Sequence, residues 1–280
     1  MKILLLLSLS ALIFSCKKNI DIPDDTNIYL SKIDTVEVYS QSMNKAVSNI
    51  VILPPNFEEL NNLPVIYLLH GAYGDYTDWI SNVSHLESFC SENNVIIVCP
   101  DGGFNSWYFD SPIDSDFMYE TFISDELVCY IDSIYPTSIN SNKRAITGLS
   151  MGGHGAFYLA IRNQDVYGAA GSMSGALDIR PFPNSWNISD IIGSIDDFPE
   201  NWELNTVTNM VALLQGSDLE LFFDCGSDDF FINVNNVFHE KLVLNNIEHV
   251  YNVKPGSHNW DYWRNSVFEH LTFFADYFIE

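Results

Sequence analysis

Basic residues are scarce in this sequence. Only 12 of its 280 residues are Lys or Arg against 37 Asp or Glu, which gives a formal net charge of −25 at pH 7. A surface of this sign repels phosphate backbones and anionic membranes, so we expect no nucleic-acid partner. The acidic residues are spread along the chain without a polyacidic run. They therefore indicate a solvated acidic surface and not a specific cation site.

Metal-binding patterns are lacking as well. The sequence contains neither a Cys-x-x-Cys nor a His-x-x-x-His pair, so it gives no support for a zinc site. Four cysteines follow Cys16, an even count that permits two disulfides in an exported protein, but a domain of this size does not need them. Their apolar sequence contexts favour free, buried thiols. These cysteines are Cys90, Cys99, Cys129 and Cys225.

A long apolar run occurs only at the N-terminus. Residues 1–15 carry Lys2 and then an apolar stretch too short to span a bilayer comfortably, which predicts a signal peptide. Ile13-Phe14-Ser15-Cys16 resembles a bacterial lipobox, in which Cys16 is lipidated; the bulk of Phe14 leaves an ordinary cleaved signal as the alternative. Residues 16–29 would then be a tether. We expect an exported lipoprotein, periplasmic or on the cell surface, that contacts the membrane only through this anchor.

Residues 30–280 predict a single α/β domain. The alternating patterns of 36–40 and 47–53 predict an opening antiparallel pair, and the continuous apolar runs 63–69 and 95–99 predict strands buried on both faces. Further strands then alternate with helices, one of them predicted over 117–134. This order predicts a mostly parallel central sheet with helices on both faces. The weakly periodic segment 176–216 is a possible lid over the sheet.

The sequence Gly148-Leu149-Ser150-Met151-Gly152 lies between a strand pattern and a helix pattern. Gly-x-Ser-x-Gly at such a turn is typical of a nucleophile elbow, which presents the serine hydroxyl at the strand tip. A bare match of this kind occurs often by chance. Support comes from the positions of the other candidate groups, because each follows a predicted strand and ligands bind beyond the carboxyl ends of parallel strands. We therefore predict that Ser150 is the nucleophile.

A serine hydroxyl needs a base and an orienting carboxylate, and with this type of elbow they follow in the order acid, then histidine. His258 lies in the glycine-containing loop after the last predicted strand. For the acid, the spacing from Gly226 favours Asp229, with Asp228 as its competitor. Asp224 is expected to be a strand-end residue that satisfies nearby backbone N–H groups.

The oxyanion of an acyl-transfer intermediate needs two hydrogen-bond donors. We expect them to be the backbone N–H of Met151, at the start of the elbow helix, and that of Ala72, in the turn after the first buried strand. His70 is expected to brace that turn and to take no part in the chemistry.

Six sequence motifs together resemble those of the esterase D-like "putative esterase" family, over a match from about residue 30 to the C-terminus. The resemblance implies an α/β-hydrolase fold and serine-esterase chemistry without a cofactor or metal. The family includes tributyrin, feruloyl and acetyl-xylan esterases, S-formylglutathione hydrolases and, more distantly, mycolyltransferases of the antigen 85 group. The motifs are Leu68 to Gly74, Pro100 to Gly103, Ser106 to Tyr108, Gly148 to Ala156, Asp224 to Phe230 and Gly256 to Trp260.

These observations predict a secreted serine carboxylesterase that hydrolyses short-chain acyl or phenolic esters on carbohydrate, so its partner is a small-molecule or glycan ester. Export disfavours substrates of the cytosolic formylglutathione type. Trp107, Tyr108 and Trp260 are predicted to stack on sugar or phenolic rings, since flat aromatic faces supply binding area with few rotors. Two alternatives remain: an acyltransferase of the antigen 85 type and a non-catalytic glycan-binding lipoprotein.

Overall fold

The computed structural model of the protein describes residues 31–279. The predicted signal peptide, the tether and Cys16 lie outside these residues. The fold is an α/β fold, as predicted, with an eight-stranded sheet in the order β1-β2-β4-β3-β5-β6-β7-β8. The strands are β1 (Lys32–Ser40), β2 (Lys45–Leu53), β3 (Val65–Leu69), β4 (Ile96–Pro100), β5 (Arg144–Gly148), β6 (Ala169–Met173), β7 (Glu220–Gly226) and β8 (Val250–Lys254).

The sheet is antiparallel at one edge and parallel elsewhere. β1 pairs with β2 and β2 with β4 in antiparallel register, while the pairs from β4 through β3, β5, β6 and β7 to β8 are parallel. β3, β4, β5 and β6 are buried along their whole length. Burial on both faces explains the continuous apolar sequences of β3 and β4. The carboxyl ends of the parallel strands thus meet at one edge of the sheet.

Helices cover both faces of the sheet. One core cluster contains side chains of α4, α5 and α8, and the other contains side chains of α1, α2 and α9. Among residues 31–279, no helix combines the length and apolar character that crossing a bilayer requires. The helices are α1 (Asp78–Asn82), α2 (Leu86–Asn93), α3 (Tyr119–Thr121), α4 (Leu127–Ile134), α5 (Met151–Arg162), α6 (Ile188–Ile192), α7 (Pro199–Leu204), α8 (Ile232–Leu244) and α9 (Trp260–Ile279).

Local structure departs from the sequence predictions at several points. The helix predicted over 117–134 is α3 and α4 joined by a π-helical turn, Phe122–Glu126. Segment 176–216 is folded into α6, α7 and two 3₁₀ turns, and it contributes Ile188 and Trp202 to the core. Cys129 is exposed on α4, so the expectation that it is buried is wrong, whereas Cys90, Cys99 and Cys225 are buried; all four are free thiols.

Candidate active site

Ser150 lies at a tight turn between β5 and α5. Its backbone dihedrals are φ 56° and ψ −115°, a conformation that non-glycine residues rarely adopt. The turn also needs glycine beside it, since a Cβ on Gly152 would lie 2.5 Å from the carbonyl oxygen of His70. The sequence therefore forms the elbow that it predicts, with the partly exposed Ser150 at the N-terminus of α5.

His258 and Asp229 meet Ser150 at the carboxyl edge of the sheet. His258 Nε2 lies 2.9 Å from Ser150 Oγ, and His258 Nδ1 lies 2.8 Å from Asp229 Oδ2. His258 comes from the loop after β8 and Asp229 from the loop after β7. The predicted serine, histidine and carboxylate thus form one hydrogen-bonded line, although they are far apart in sequence.

The carboxylate in this line is Asp229, as the spacing from Gly226 predicts. Asp229 is only 2% exposed, and its Oδ1 accepts a hydrogen bond of 2.8 Å from the Phe231 backbone N–H. Its competitor Asp228 is exposed, and its backbone N–H donates to the carbonyl of Gly256. The Asp228 side chain therefore points away from this line.

The expectation for Asp224 is wrong. Within residues 31–279 its buried carboxylate accepts no backbone N–H; instead it accepts a hydrogen bond from the Ser266 hydroxyl and pairs with Lys254 at 3.1 Å. The reason is that Asp224 belongs to β7 itself, where its backbone groups pair with the neighbouring strands and its side chain faces α9.

The predicted oxyanion donors lie beside the serine. A Cβ on Gly71 would be 3.6 Å from Ser150 Cβ, which places the turn that contains Ala72 against the elbow. Within residues 31–279, neither the Ala72 nor the Met151 backbone N–H donates to a protein acceptor. Free backbone donors at a helix N-terminus and a neighbouring turn are suited to binding an anionic oxygen.

His70 braces the turn after β3, which contains Ala72, through two hydrogen bonds. Its buried ring accepts a hydrogen bond of 2.8 Å from the Gly102 backbone N–H at Nε2 and donates from Nδ1 to the Gly71 carbonyl, also at 2.8 Å. Burial lowers the pKa of this imidazole, which keeps it neutral. His70 thus connects the turn after β3 with the loop after β4, in agreement with a bracing role.

The prediction that Trp107 and Tyr108 stack on substrate is wrong, because both rings are buried. Trp107 is 1% exposed and donates from Nε1 to the Trp186 carbonyl, while Tyr108 is 0% exposed and donates to the His70 carbonyl. Both residues have a positive φ, 57° and 62°, which turns the loop inward. Trp260 is half-buried and packs edge-on against Trp79, so it fastens α9 to α1.

Four other aromatic residues form an aromatic rim at the site, three of them exposed and the fourth, Trp186, half-buried. Phe230 is 53% exposed, its ring centroid lies 4.2 Å from that of His258, and Trp186 stacks on it at 5.8 Å. Across the site, Tyr73 and Phe104 are 48% and 62% exposed, with their ring centroids 4.7 Å apart. The two halves meet where Tyr73 Oη donates to Asn187 Oδ1 over 3.2 Å. Tyr73 and Phe230 were not predicted as site residues. Each is adjacent in sequence to a predicted one, Ala72 or Asp229, and this adjacency is the signal that would have identified them.

Residues 31–279 contain few basic side chains and no cluster suited to a metal ion. Within residues 31–279, no group of three or more His, Cys, Asp or Glu side chains is arranged to hold a metal ion. Of the nine Lys and Arg in the same part of the chain, six form ion pairs with carboxylates, and Lys45, Lys143 and Lys241 donate to backbone carbonyls. The nine residues are Lys32, Lys45, Lys143, Arg144, Arg162, Arg180, Lys241, Lys254 and Arg264.

A mostly parallel sheet with a serine elbow and a following acid and histidine defines the α/β hydrolases. Comparison with known proteins narrows this class. A profile of the family described as "Putative esterase" matches residues 40–274. The chain belongs to this family, and it is a carboxylic ester hydrolase of the serine type.

Individual relatives agree with this assignment. An acetyl esterase from Caldicellulosiruptor saccharolyticus is 28% identical over 258 residues, which cover 83% of this chain and 94% of the relative. A solved structure of a ferulic acid esterase superposes with a TM-score of 0.75 at 30% identity and covers 89% of this chain and 100% of that one. The S-formylglutathione hydrolase FrmB of Staphylococcus aureus shares the fold, with a TM-score of 0.76 at 20% identity over 88% of this chain and 99% of its own.

Proposed function

We propose that Ser150, His258 and Asp229 are a catalytic triad that hydrolyses esters through an acyl-enzyme. The observation that carries the proposal is the continuous hydrogen-bonded line from Ser150 Oγ through His258 to Asp229, with links of 2.9 and 2.8 Å. Because the Asp229 carboxylate accepts a hydrogen bond from His258 Nδ1–H, the lone pair of Nε2 faces the serine hydroxyl. That tautomer is the one a general base requires.

His258 takes up and gives back a proton in each half of the reaction. Ser150 Oγ attacks the ester carbonyl carbon while His258 Nε2 takes the hydroxyl proton, and the carbonyl oxygen becomes an oxyanion bound by the Ala72 and Met151 backbone N–H groups. Collapse of this intermediate expels the alcohol, which leaves with the proton from Nε2. A water molecule, deprotonated by His258 Nε2, then attacks the acyl carbon of the acyl-enzyme. The bond from this carbon to Ser150 Oγ breaks, Ser150 takes the proton back from Nε2, and the acid is released.

The substrates we propose are short-chain acyl or phenolic esters of carbohydrate. The acetyl esterase and ferulic acid esterase relatives support these acyl groups. The aromatic rim, Tyr73, Phe104, Trp186 and Phe230, offers flat apolar surface to a sugar or phenolic ring beside His258. The formal net charge of −25 favours uncharged substrates over anionic ones such as glutathione thioesters. Exposure of the rim also favours water over a second alcohol as acyl acceptor.

We also propose that the enzyme is exported and anchored through a lipid on Cys16, which follows a signal-like segment. Growth of a bacterial expression host with labelled palmitate tests this. The label should enter the wild-type protein and be absent from a Cys16→Ser variant. Label in both variants, or in neither, contradicts the lipid anchor.

A fluorophosphonate probe tests the triad. The mature wild-type protein should be labelled on Ser150, and a Ser150→Ala variant should be unlabelled and lose several powers of ten in turnover of 4-nitrophenyl acetate. Near wild-type turnover by folded Ser150→Ala refutes the mechanism, whereas a folded wild-type protein that is neither labelled nor active leaves the non-catalytic glycan-binding alternative.

Substrate choice is tested at the rim. Phe230→Ala should lower activity on an acetylated or feruloylated glycan more than on 4-nitrophenyl acetate, with Phe268→Ala on α9 as a control remote from the rim. Equal losses on the two substrates, or turnover of long-chain lipid esters alone, contradict the carbohydrate assignment.

A further inference from the structure

The proposed mechanism does not use Asp224, although its carboxylate is fully buried in β7. Asp224 Oδ2 accepts the Ser266 hydroxyl, lies 3.1 Å from Lys254 Nζ and lies 3.7 Å from His270 Nε2. Burial alone raises the pKa of this carboxyl, but its contacts with His270, Lys254 and Ser266 together hold the pKa below its usual value. Asp224 is therefore a buried anion at neutral pH, held by one residue of β8 and two of α9.

The same contacts extend to the strand that carries the nucleophile. His270 Nδ1 lies 2.9 Å from Thr147 Oγ1, and Thr147 is in β5, three residues before Ser150. This link crosses over β6 at Gly171, where a Cβ would overlap the His270 ring and lie 2.7 Å from Thr147 Oγ1. A side chain at this position of β6 would break the connection, so glycine is required there.

The loops that carry Asp229 and His258 are joined directly above Asp224. Pairing continues beyond β7 and β8, because the Ser227 N–H donates to the Lys254 carbonyl over 2.8 Å and the Asp228 N–H donates to the Gly256 carbonyl over 2.9 Å. A Cβ on Gly226 would lie 2.6 Å from the carbonyl carbon of Gly256, so the loops are in close contact. The acid and the histidine are thus carried by one paired unit with Lys254 at its base.

We infer that Asp224 is a positioning residue that fastens the three triad-bearing strands to one another. Through His270 and Thr147 it holds β5, through its own backbone it belongs to β7, and through Lys254 it holds β8. This inference rests on the proposed function of the triad. Catalytic groups need their geometry held to about 0.5 Å, and a displacement of about 1 Å costs on the order of 100-fold in rate. Loss of Asp224 should therefore reduce kcat without changing substrate binding.

An Asp224→Asn variant tests the inference against Asp132→Asn. Asp132 is a matched control because it pairs with buried Arg144 at the other end of β5, 2.7 Å away and remote from Ser150. Turnover of 4-nitrophenyl acetate and the rate of fluorophosphonate labelling are measured at a temperature where circular dichroism shows both variants folded. Asp224→Asn should lose roughly 10- to 100-fold in kcat and in labelling rate at unchanged KM. Asp132→Asn should lower Tm and leave both rates unchanged.

Milder variants keep the test decisive if Asp224→Asn does not fold. Ser266→Ala and Thr147→Val each remove one link at little change in volume, and each should lower kcat several-fold at unchanged KM. Wild-type kcat in folded Ser266→Ala and Thr147→Val overturns the inference, and so does an equal loss of kcat in Asp132→Asn. Ser150→Ala in the same series separates the two proposals. If it is inactive while the Asp224 network variants are fully active, only the positioning role fails; if it is active, the triad itself fails.

Discussion

At the scale of single residues, the site depends on one strained backbone position. Ser150 has φ 56° and ψ −115°, and such conformations cost about 1–3 kcal/mol for a residue with a Cβ. The surrounding contacts that leave no room for a Cβ at Gly152 enforce this geometry. A protein that only binds a ligand does not need this strained backbone conformation, so the strain supports a catalytic role for Ser150.

The strain at Ser150 should be measurable as a difference in stability between two inactive variants. Ser150→Gly and Ser150→Ala both remove the nucleophile and should both be inactive, but glycine tolerates the positive φ and alanine does not. We expect Ser150→Gly to be more stable than Ser150→Ala by about 1 kcal/mol in urea unfolding, despite the entropy that glycine adds to the unfolded chain. Equal stability, or a less stable glycine variant, would mean that the elbow stores no strain.

The two neighbouring aspartates should differ sharply. Asp229→Asn removes the acceptor that fixes the tautomer of His258, so kcat on 4-nitrophenyl acetate should fall by roughly 10⁴-fold. Asp228→Asn changes an exposed side chain and should alter kcat less than about twofold, because its backbone N–H contact to Gly256 persists. Comparable losses in the two variants would show that Asp229 is not the orienting acid.

Residues of the site differ in how far the sequence predicts them. Ser150, Asp229 and His258 follow strand ends, and the topology brings strand ends together, so order and spacing predicted their meeting. Trp107 has an equally suggestive position, but a positive φ that no local pattern encodes turns its ring into the core. Phe230 was missed because its exposure depends on packing with Trp186, which is distant in sequence.

At the scale of elements, segment 176–216 is tied to the elbow helix by a buried histidine. His154 in α5 donates from Nε2 to the Asn205 carbonyl, 3.0 Å away and just beyond α7. Trp107 and Phe109 pack edge-on against its ring. The sequence predicted a possible lid here because the segment lacks a clear period. Its helices are short, and their burial depends on packing beside α5, which the local sequence pattern does not contain.

Burial of His154 should make stability depend on pH. Burial lowers the pKa of this imidazole to about 3, against about 6.5 in the unfolded chain. Below pH 6.5 the unfolded state therefore binds a proton that the folded state does not bind. The free energy of unfolding falls as the pH drops from 6.5 toward 3.

The matching variant is His154→Gln, whose amide N–H can replace the bond to Asn205 but does not titrate. Between pH 6.5 and 5, the free energy of unfolding measured in urea should fall by ~2 kcal/mol more for the wild type than for His154→Gln. This difference corresponds to one proton bound by the unfolded wild-type chain over that interval. His70 remains in both proteins and cancels in the comparison. Parallel pH profiles would contradict a neutral, buried His154.

At the scale of the whole molecule, charge is the dominant property. The formal net charge is −25, and exposed carboxylates lie near the site on two loops, at Asp75 and Asp228, and on α6, at Asp190. Within residues 31–279, six of the nine Lys and Arg side chains are already paired with carboxylates. The resulting negative potential opposes the approach of anionic substrates and leaves neutral ones unaffected.

Ionic strength should therefore act differently on two model esters. For neutral 4-nitrophenyl acetate, kcat/KM should change less than about twofold between 10 and 300 mM NaCl, whereas for the monoanionic 4-nitrophenyl hemisuccinate it should rise several-fold as salt screens the repulsion. Each ester is compared with itself across salt, so the difference in acyl group does not enter. The control is a protein with Asp75→Asn, Asp190→Asn and Asp228→Asn combined, in which the rise for the anionic ester should shrink while the neutral ester is unchanged. If both esters respond to salt alike, the negative surface does not reach the site, and the preference for uncharged substrates has to come from the aromatic rim alone.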